Sequence, residues 1–259
     1  MTCTKATAFF ISLFIFGAFS LSLKAGTGVY ESYVVLDVDG SGDQFYSGGL
    51  SNPGSLPLFD VQAFGVVDML NLSGGELKTF KNDGGDVTGA ELNYRVYVDG
   101  SSPGSFTALN LPFGSDFAGG NQSWFENSIP DIDLLSGLSP GDYVLEVYWK
   151  AFTNEGDRFD NNGGTNYKAT FTVCGISDVT ATVTADETCA GFEDGVVSVS
   201  VAFSGSPVPI EGSLSFLPPG TWIPLTPTSN PFVFTIDNLP TGTFSVSVRE
   251  ASNTACVLS

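Results

Sequence analysis

Apolar and polar side chains alternate with a period of two along most of this chain, and the alternating runs are separated by clusters of Gly, Asn, Asp, Ser and Pro. Val34, Leu36 and Val38 alternate with Tyr33, Val35 and Asp37, while Leu92, Tyr94, Val96 and Val98 alternate with Asn93, Arg95, Tyr97 and Asp99. Further on, Tyr143, Leu145, Val147 and Trp149 alternate with Val144, Glu146, Tyr148 and Lys150, and Tyr167, Ala169, Phe171 and Val173 close the region. Successive side chains of a strand point to opposite faces of its sheet, so each run predicts a strand with one apolar and one mixed face. Two sheets packed through their apolar faces make a sandwich. Beyond the first 25 residues no helical period appears, apart from a single turn near Asp131 to Ser136.

The alternation restarts after Cys174, with Val197, Val199, Val201 and Phe203. Two segments share one spacing, Leu138-Ser-Pro-Gly-Asp-Tyr143-Val-Leu-Glu-Val147 and Leu239-Pro-Thr-Gly-Thr-Phe244-Ser-Val-Ser-Val248. In each, a Gly-containing turn feeds a strand whose aromatic, aliphatic and Val side chains point inward, as at a sandwich corner. The expectation is an all-β chain of two immunoglobulin-like sandwiches, residues 26–173 and 174–259. A length of 259 residues allows about two domains, each able to bury its own core. Convergence on a common turn would leave this fold reading intact and remove only shared ancestry.

The start reads as an export signal: Lys5 is followed by an apolar run from Ala6 to Leu23, then Leu23-Lys24-Ala25 ahead of Gly26-Thr27-Gly28. Cleavage is expected after Ala25, giving a signal peptide of residues 1–25. A membrane anchor is the competing reading, since the run approaches the ~18 residues that span a bilayer, but Ser and Thr interrupt it. No Cys follows the run, so attachment through a lipidated N-terminal Cys is not indicated. The mature chain is thus expected to be secreted or on the cell surface, without a membrane span.

Charge narrows the partners. The formal net charge is −19, and loss of Lys5 and Lys24 with no acid takes it to −21. Nucleic acid would be repelled, because affinity for it rests on Lys and Arg neutralising phosphates. There is no histidine, which excludes Ser-His-Asp and Cys-His catalysis and the usual zinc sites. Carboxylate pairs such as Asp131 with Asp133, or Glu193 with Asp194, have the chemistry of a glycosidase. They also arise by chance in an acidic chain, and without a nucleophile elbow or phosphate loop no enzyme is expected.

Cys189-Ala-Gly-Phe-Glu-Asp-Gly, an alternating strand, Leu239-Pro-Thr-Gly-Thr-Phe-Ser-Val-Ser-Val and a closing Cys256 together resemble the SprB-type repeat of Bacteroidetes gliding and surface adhesins. The resemblance covers about the last third of the chain and implies extracellular display and a β-sandwich module. Lys78-Thr-Phe-Lys-Asn-Asp-Gly-Gly-Asp-Val-Thr-Gly-Ala and Asn166-Tyr-Lys-Ala-Thr-Phe-Thr-Val resemble an uncharacterised lead domain of exported proteins from the same bacterial group. On the repeat reading, a disulfide between Cys189 and Cys256 would tie its first and last strands, with Cys174 to Cys189 the competing pair. Cys256-Val-Leu-Ser also matches Cys174-Gly-Ile-Ser 82 residues earlier, so a further module is expected where this sequence stops.

Two constellations could hold a ligand. Asp37, Asp39 and Asp43 alternate around Gly40 and Gly42 in the manner of a partial calcium loop, and Asp157 and Asp160 flank another polar turn. No cofactor is expected beyond calcium at these places, and tight turns are the competing reading, since Asp and Gly form turns in their own right. Tyr97 and Tyr148 fall on the mixed strand faces, and Trp124 lies in a Gly-rich stretch; such rings stack on sugars. Cross-strand pairing of the tyrosines and a loop plug at Trp124 are the alternatives. The function expected is a non-catalytic adhesin-like module that binds an extracellular polysaccharide or surface ligand and is set on a spacer repeat. The other readings are an accessory carbohydrate-binding domain of a polysaccharide-degrading enzyme and a passive stalk.

Overall fold

The computed structural model of the chain describes residues 26–127, 130–186 and 193–259. The expected signal segment, residues 1–25, and Cys189 lie outside these residues. In chain order the strands of the first half are β1 (Gly26–Val38), β2 (Gln44–Ser47), β3 (Ala63–Val66), β4 (Leu70–Asn82), β5 (Val87–Val98) and β6 (Thr107–Leu111). They continue with β7 (Phe113–Asp116), β8 (Asn121–Glu126), β9 (Ile132–Asp133), β10 (Gly141–Thr153), β11 (Arg158–Asp160) and β12 (Tyr167–Val173). The second half holds β13 (Ile176–Ala185), β14 (Gly195–Phe203), β15 (Ile210–Leu214), β16 (Ile223–Leu225), β17 (Phe232–Leu239), β18 (Val246–Glu250) and β19 (Val257–Leu258). The fold is all-β, two sandwiches in sequence. The segment after Asp131 is the short strand β9 and a turn, in which the Asp133 carboxylate accepts the Leu135 N–H.

One sheet of the first sandwich runs β2-β1-β4-β8-β7 and the other β3-β12-β10-β5-β6. Their facing sides bury Val34, Leu36, Leu72, Leu77, Leu92, Leu145, Val147 and Trp149 in one core. Each fully buried aliphatic or aromatic side chain contributes about 1.5–3 kcal/mol. The second sandwich pairs β13-β14-β17 with β16-β15-β18-β19 around Val197, Val199, Val201, Ile210 and Val248. The two cores share no residue.

Parity follows the sequence pattern with local exceptions. Val35 and Val144, expected on mixed faces, are buried. Val35 lies opposite Phe45 on β2 and Val144 opposite Tyr97 on β5, so each has an aromatic residue as its cross-strand neighbour. Val98, expected inside, is exposed because β5 is ending there, just ahead of the Asp99-Gly100 turn.

The corner motif is realised in both halves. Tyr143 closes it in the first, donating its hydroxyl to the Ser139 carbonyl at 2.6 Å. Phe244 has no hydroxyl and packs edge-on against Phe216 instead.

The disulfide corrects the expected pairing: Cys256 is joined to Cys174, with a Cα–Cα distance of 5.6 Å. First and last strands are indeed tied, but the first strand of this sandwich is β13, which precedes Cys189 and begins two residues after Cys174. The buried Glu250 carboxylate holds the same corner, accepting the backbone N–H groups of Gly175 and, at 3.1 Å, Ile176.

Closing an 82-residue separation restricts the unfolded chain by about 4.5 kcal/mol on the loop-entropy estimate. Calorimetry is expected to show two transitions, one per core, of which only that of the second sandwich falls on reduction. A single transition, or an equal shift of both, would contradict this.

Candidate functional site

The outward face of the β3-β12-β10-β5-β6 sheet gathers the chemistry that the alternation of β5 and β10 leaves outside the core. Register places Arg95 opposite Glu146, Asn93 opposite Tyr148 and Glu91 opposite Lys150. Phe106, from the loop before β6, and Phe159, on β11, join them from either side.

Glu146 is the centre of this face and only 2% exposed. The Arg95 guanidinium grips it in a fork, with Nη2 at 2.8 Å and Nε at 3.1 Å. Asn166 Nδ2 donates to it at 2.6 Å and the Tyr97 hydroxyl at 2.9 Å. Burial by itself raises the Glu146 carboxyl, but the hydrogen bonds from Asn166, Arg95 and Tyr97 outweigh it and hold the group below the ordinary carboxylate range. The phenol of Tyr97 is pushed up to about 12, first by burial and then by its bond to Glu146. A buried charge satisfied from several sides fixes Arg95 in place, and its guanidinium lies 4.0 Å from the centroid of the Phe106 ring.

The aromatic part of the face is continuous. Phe106 meets Tyr148 edge-on at 4.8 Å, and Tyr148 lies 6.4 Å from Phe159, itself 47% exposed. Lys150 borders the rings, 3.1 Å from Asp157 and 3.8 Å from Glu91, with its ammonium 4.2 Å from the Phe152 centroid. The result is a shallow aromatic strip edged by paired charges. Such a surface offers π-faces to apolar C–H groups and hydrogen-bonding groups at its rim.

Of the three rings singled out in the sequence, Tyr97 and Tyr148 stand together on this face, Tyr97 serving as a brace for Glu146. Trp124 does not belong to it, and its reading as an exposed ring is corrected. It lies on β8 in the opposite sheet, 7% exposed, and its indole N–H donates to Thr79 Oγ1 at 3.0 Å. The reason is parity, since Trp124 pairs with the inward Leu77 of β4. Phe106 and Phe159 were missed in the sequence. A loop ring and a three-residue strand carry no alternation, and only their proximity to Tyr148 in space marks them.

The aspartates are engaged locally. Asp39 and Gly40 both have positive φ, and Ser41 N–H reaches the Val38 carbonyl at 3.1 Å, forming a tight two-residue turn. Asp39 accepts the N–H groups of Asp68 and Met69, Asp37 accepts that of Gly42, and Asp43 is exposed. Asp157 pairs with Lys150. Asp160 is buried and takes the hydroxyls of Ser32 and Tyr167, both at 2.5 Å. Among the described residues, one group of three potential ligands lies close enough to share a cation, namely Cys174, Glu250 and Cys256, whose sulfurs are joined to each other.

No family model and no curated protein matches the chain. Among solved structures it is similar to the FN1-FN3 domains of chicken CNTN1, with 10% identity over 90% of this chain and 94% of that chain and a TM-score of 0.23.

Two substitutions check these assignments. Trp124→Ala is expected to destabilise the first sandwich by about 3–5 kcal/mol in urea unfolding, and a loss below ~1 kcal/mol would return the ring to the surface. Asp160→Asn tests the buried carboxylate, which burial raises although Ser32 and Tyr167 pull it down. A raised folded-state value means the ionised form is penalised at neutral pH, and stability from this group is present at low pH and lost as pH rises through that value. The Asn variant is therefore expected to gain on the parent at pH 7, with the gain shrinking toward pH 4. The reverse trend would show that the hydroxyl bonds dominate.

Proposed function

We propose that this chain is an exported, non-catalytic binding protein whose first sandwich presents the Phe106–Tyr148–Phe159 strip to an extracellular polysaccharide, and whose second sandwich is a spacer. The observation that carries the reading is that strip. Three neighbouring rings and an orientation-locked guanidinium lie on one sheet face, outside the core that the same strands build. Sugar rings expose axial C–H groups that pack on aromatic faces, while their hydroxyls need donors and acceptors at the rim, here Lys150, Asp157 and Glu91. The formal charge of −19 favours a neutral glycan over an acidic one. Export agrees with the apolar leader, and the resemblance of the last third to SprB-type repeats supports a spacer. In β14, Ser198 and Ser200 separate the buried valines, so the outer side of that strand carries no aromatic ring.

Electrophoresis through gels containing a panel of neutral polysaccharides tests this. The parent is expected to be retarded by at least one of them. Phe159→Ala and Tyr148→Ala should each abolish the retardation, while Phe159→Ala keeps its melting temperature within a few degrees because an exposed ring makes few folded-state contacts. Absence of retardation across the panel, or retardation unaffected by both substitutions, would leave the face as a structural ring cluster.

A further inference from the structure

The three rings of the aromatic strip come from three separate elements, Phe106 from the loop before β6, Tyr148 from β10 and Phe159 from β11. They follow one another across the strands. Tyr148 lies opposite Asn93 of β5, which in turn lies opposite Ala108 of β6, while β11 pairs with β10 on its other side and sets Phe159 opposite Lys150. No two of the rings share a plane. Phe106 and Tyr148 stand at 85° to each other and Tyr148 and Phe159 at 46°, angles different enough that Phe106 and Phe159 are not parallel either.

The surroundings hold this arrangement. Arg95 Nη1 donates to the Gly104 carbonyl at 2.8 Å while the same guanidinium lies 4.0 Å from the Phe106 centroid, so loop and ring are both fixed by a cation that Glu146 fixes in turn. β11 is anchored on either side of Phe159, by Arg158 Nε donating to the Thr27 carbonyl at 2.9 Å and by the buried Asp160.

Granted that this face binds a polysaccharide, we infer that it takes single soluble chains laid across the strands from Phe106 to Phe159, and not the planar face of a crystalline polysaccharide. A flat array of sugars stacks on several rings only when those rings lie in one plane. At 46° the far edge of a ring stands about 1 Å off the plane of its neighbour, and a gap of that size forfeits a quarter to a half of the dispersion well. A single chain meets the same rings differently, because rotation about each linkage lets successive units turn their C–H faces to rings of different tilt. The rim favours the same ligand. Lys150, paired with Asp157 and Glu91, lies beside the rings, and a crystal face pressed onto the strip would strip these charges of water, whereas a single chain leaves them hydrated or offers them hydroxyls.

The test offers the full chain cellulose, chitin and starch, each as a soluble derivative in a native gel and as crystalline particles in a sedimentation assay. At least one soluble polymer is expected to retard the protein, and all three particles should leave it in the supernatant. Oligosaccharides of the retarding polymer should compete about tenfold better when long enough to cover three rings than as the disaccharide, since further contacts made by one chain are intramolecular. Sedimentation with any of the particles that Phe159→Ala abolishes would overturn the inference and leave the glycan reading standing, and equal competition by disaccharide and longer chains would do the same. Neither retardation nor sedimentation with any of the six would overturn both.

Discussion

Trp149 fixes the parity of β10, and the rest of the first sandwich depends on it. Its ring is fully buried, meets Tyr167 at 5.7 Å, and its indole N–H reaches across the core to the Tyr33 carbonyl at 3.2 Å, joining the two sheets. Gly48 leaves room for it, since a Cβ there would stand 3.0 Å from Trp149 Cζ3. With Trp149 inside, Tyr143, Leu145, Val147 and Ala151 must also be inside, and Glu146, Tyr148 and Lys150 must face out. A slip of one residue would send Glu146 into the core and Trp149 into water, which no neighbouring register could offset.

The buried carboxylates are the second organising element, and each is satisfied in a different way. Glu146 is held by a guanidinium and two neutral donors, and Glu250 by backbone N–H groups at the start of β13. Glu31 is paired with Lys78 and receives the Tyr33 hydroxyl at 2.7 Å. Asp160 has the hydroxyls of Ser32 and Tyr167, and burial drives its carboxyl upward against them. A buried charge without its partners costs several kcal/mol, so each carboxylate also dictates where its donors stand. At Glu146 that dictation fixes Arg95, and through Arg95 the position of Phe106.

Much of this was legible in the sequence because β-sheets write a period of two into their strands. β5, β10, β12 and β14 were readable in their parity, Val98 and Val144 aside, and with them the shared face of Tyr97 and Tyr148. Trp124 was misread because the Gly-rich stretch before it concealed that β8 had already begun at Asn121. The cysteine pairing failed for a related reason. β13 does alternate, Val179, Ala181, Val183 and Ala185 with Thr180, Thr182 and Thr184, but these small residues lie ahead of Cys189, where the repeat pattern places its first strand, and so the run was passed over. Phe106 and Phe159 lay beyond any one-dimensional reading, since what gives them meaning is a ring 42 residues from one and 11 from the other in sequence and in contact in space.

The corner motif shows how one local pattern can serve two ends. Leu-x-x-Gly-x-aromatic fixes a turn and a strand start in both sandwiches, but Tyr143 adds a hydroxyl bond to Ser139 and stacks on Phe171 of β12 at 5.6 Å. The strand that follows is therefore flanked along its whole length and can carry a decorated outer face. Phe244 lacks the hydroxyl, and the strand after it is covered by only two residues on one side. Its outer residues Ser247 and Arg249 are correspondingly plain, with Arg249 held by Glu211 at 2.6 Å and stacked on Trp222. The difference between a face rich in rings and a plain one thus follows from what lies beside the same motif, and the motif by itself dictates neither.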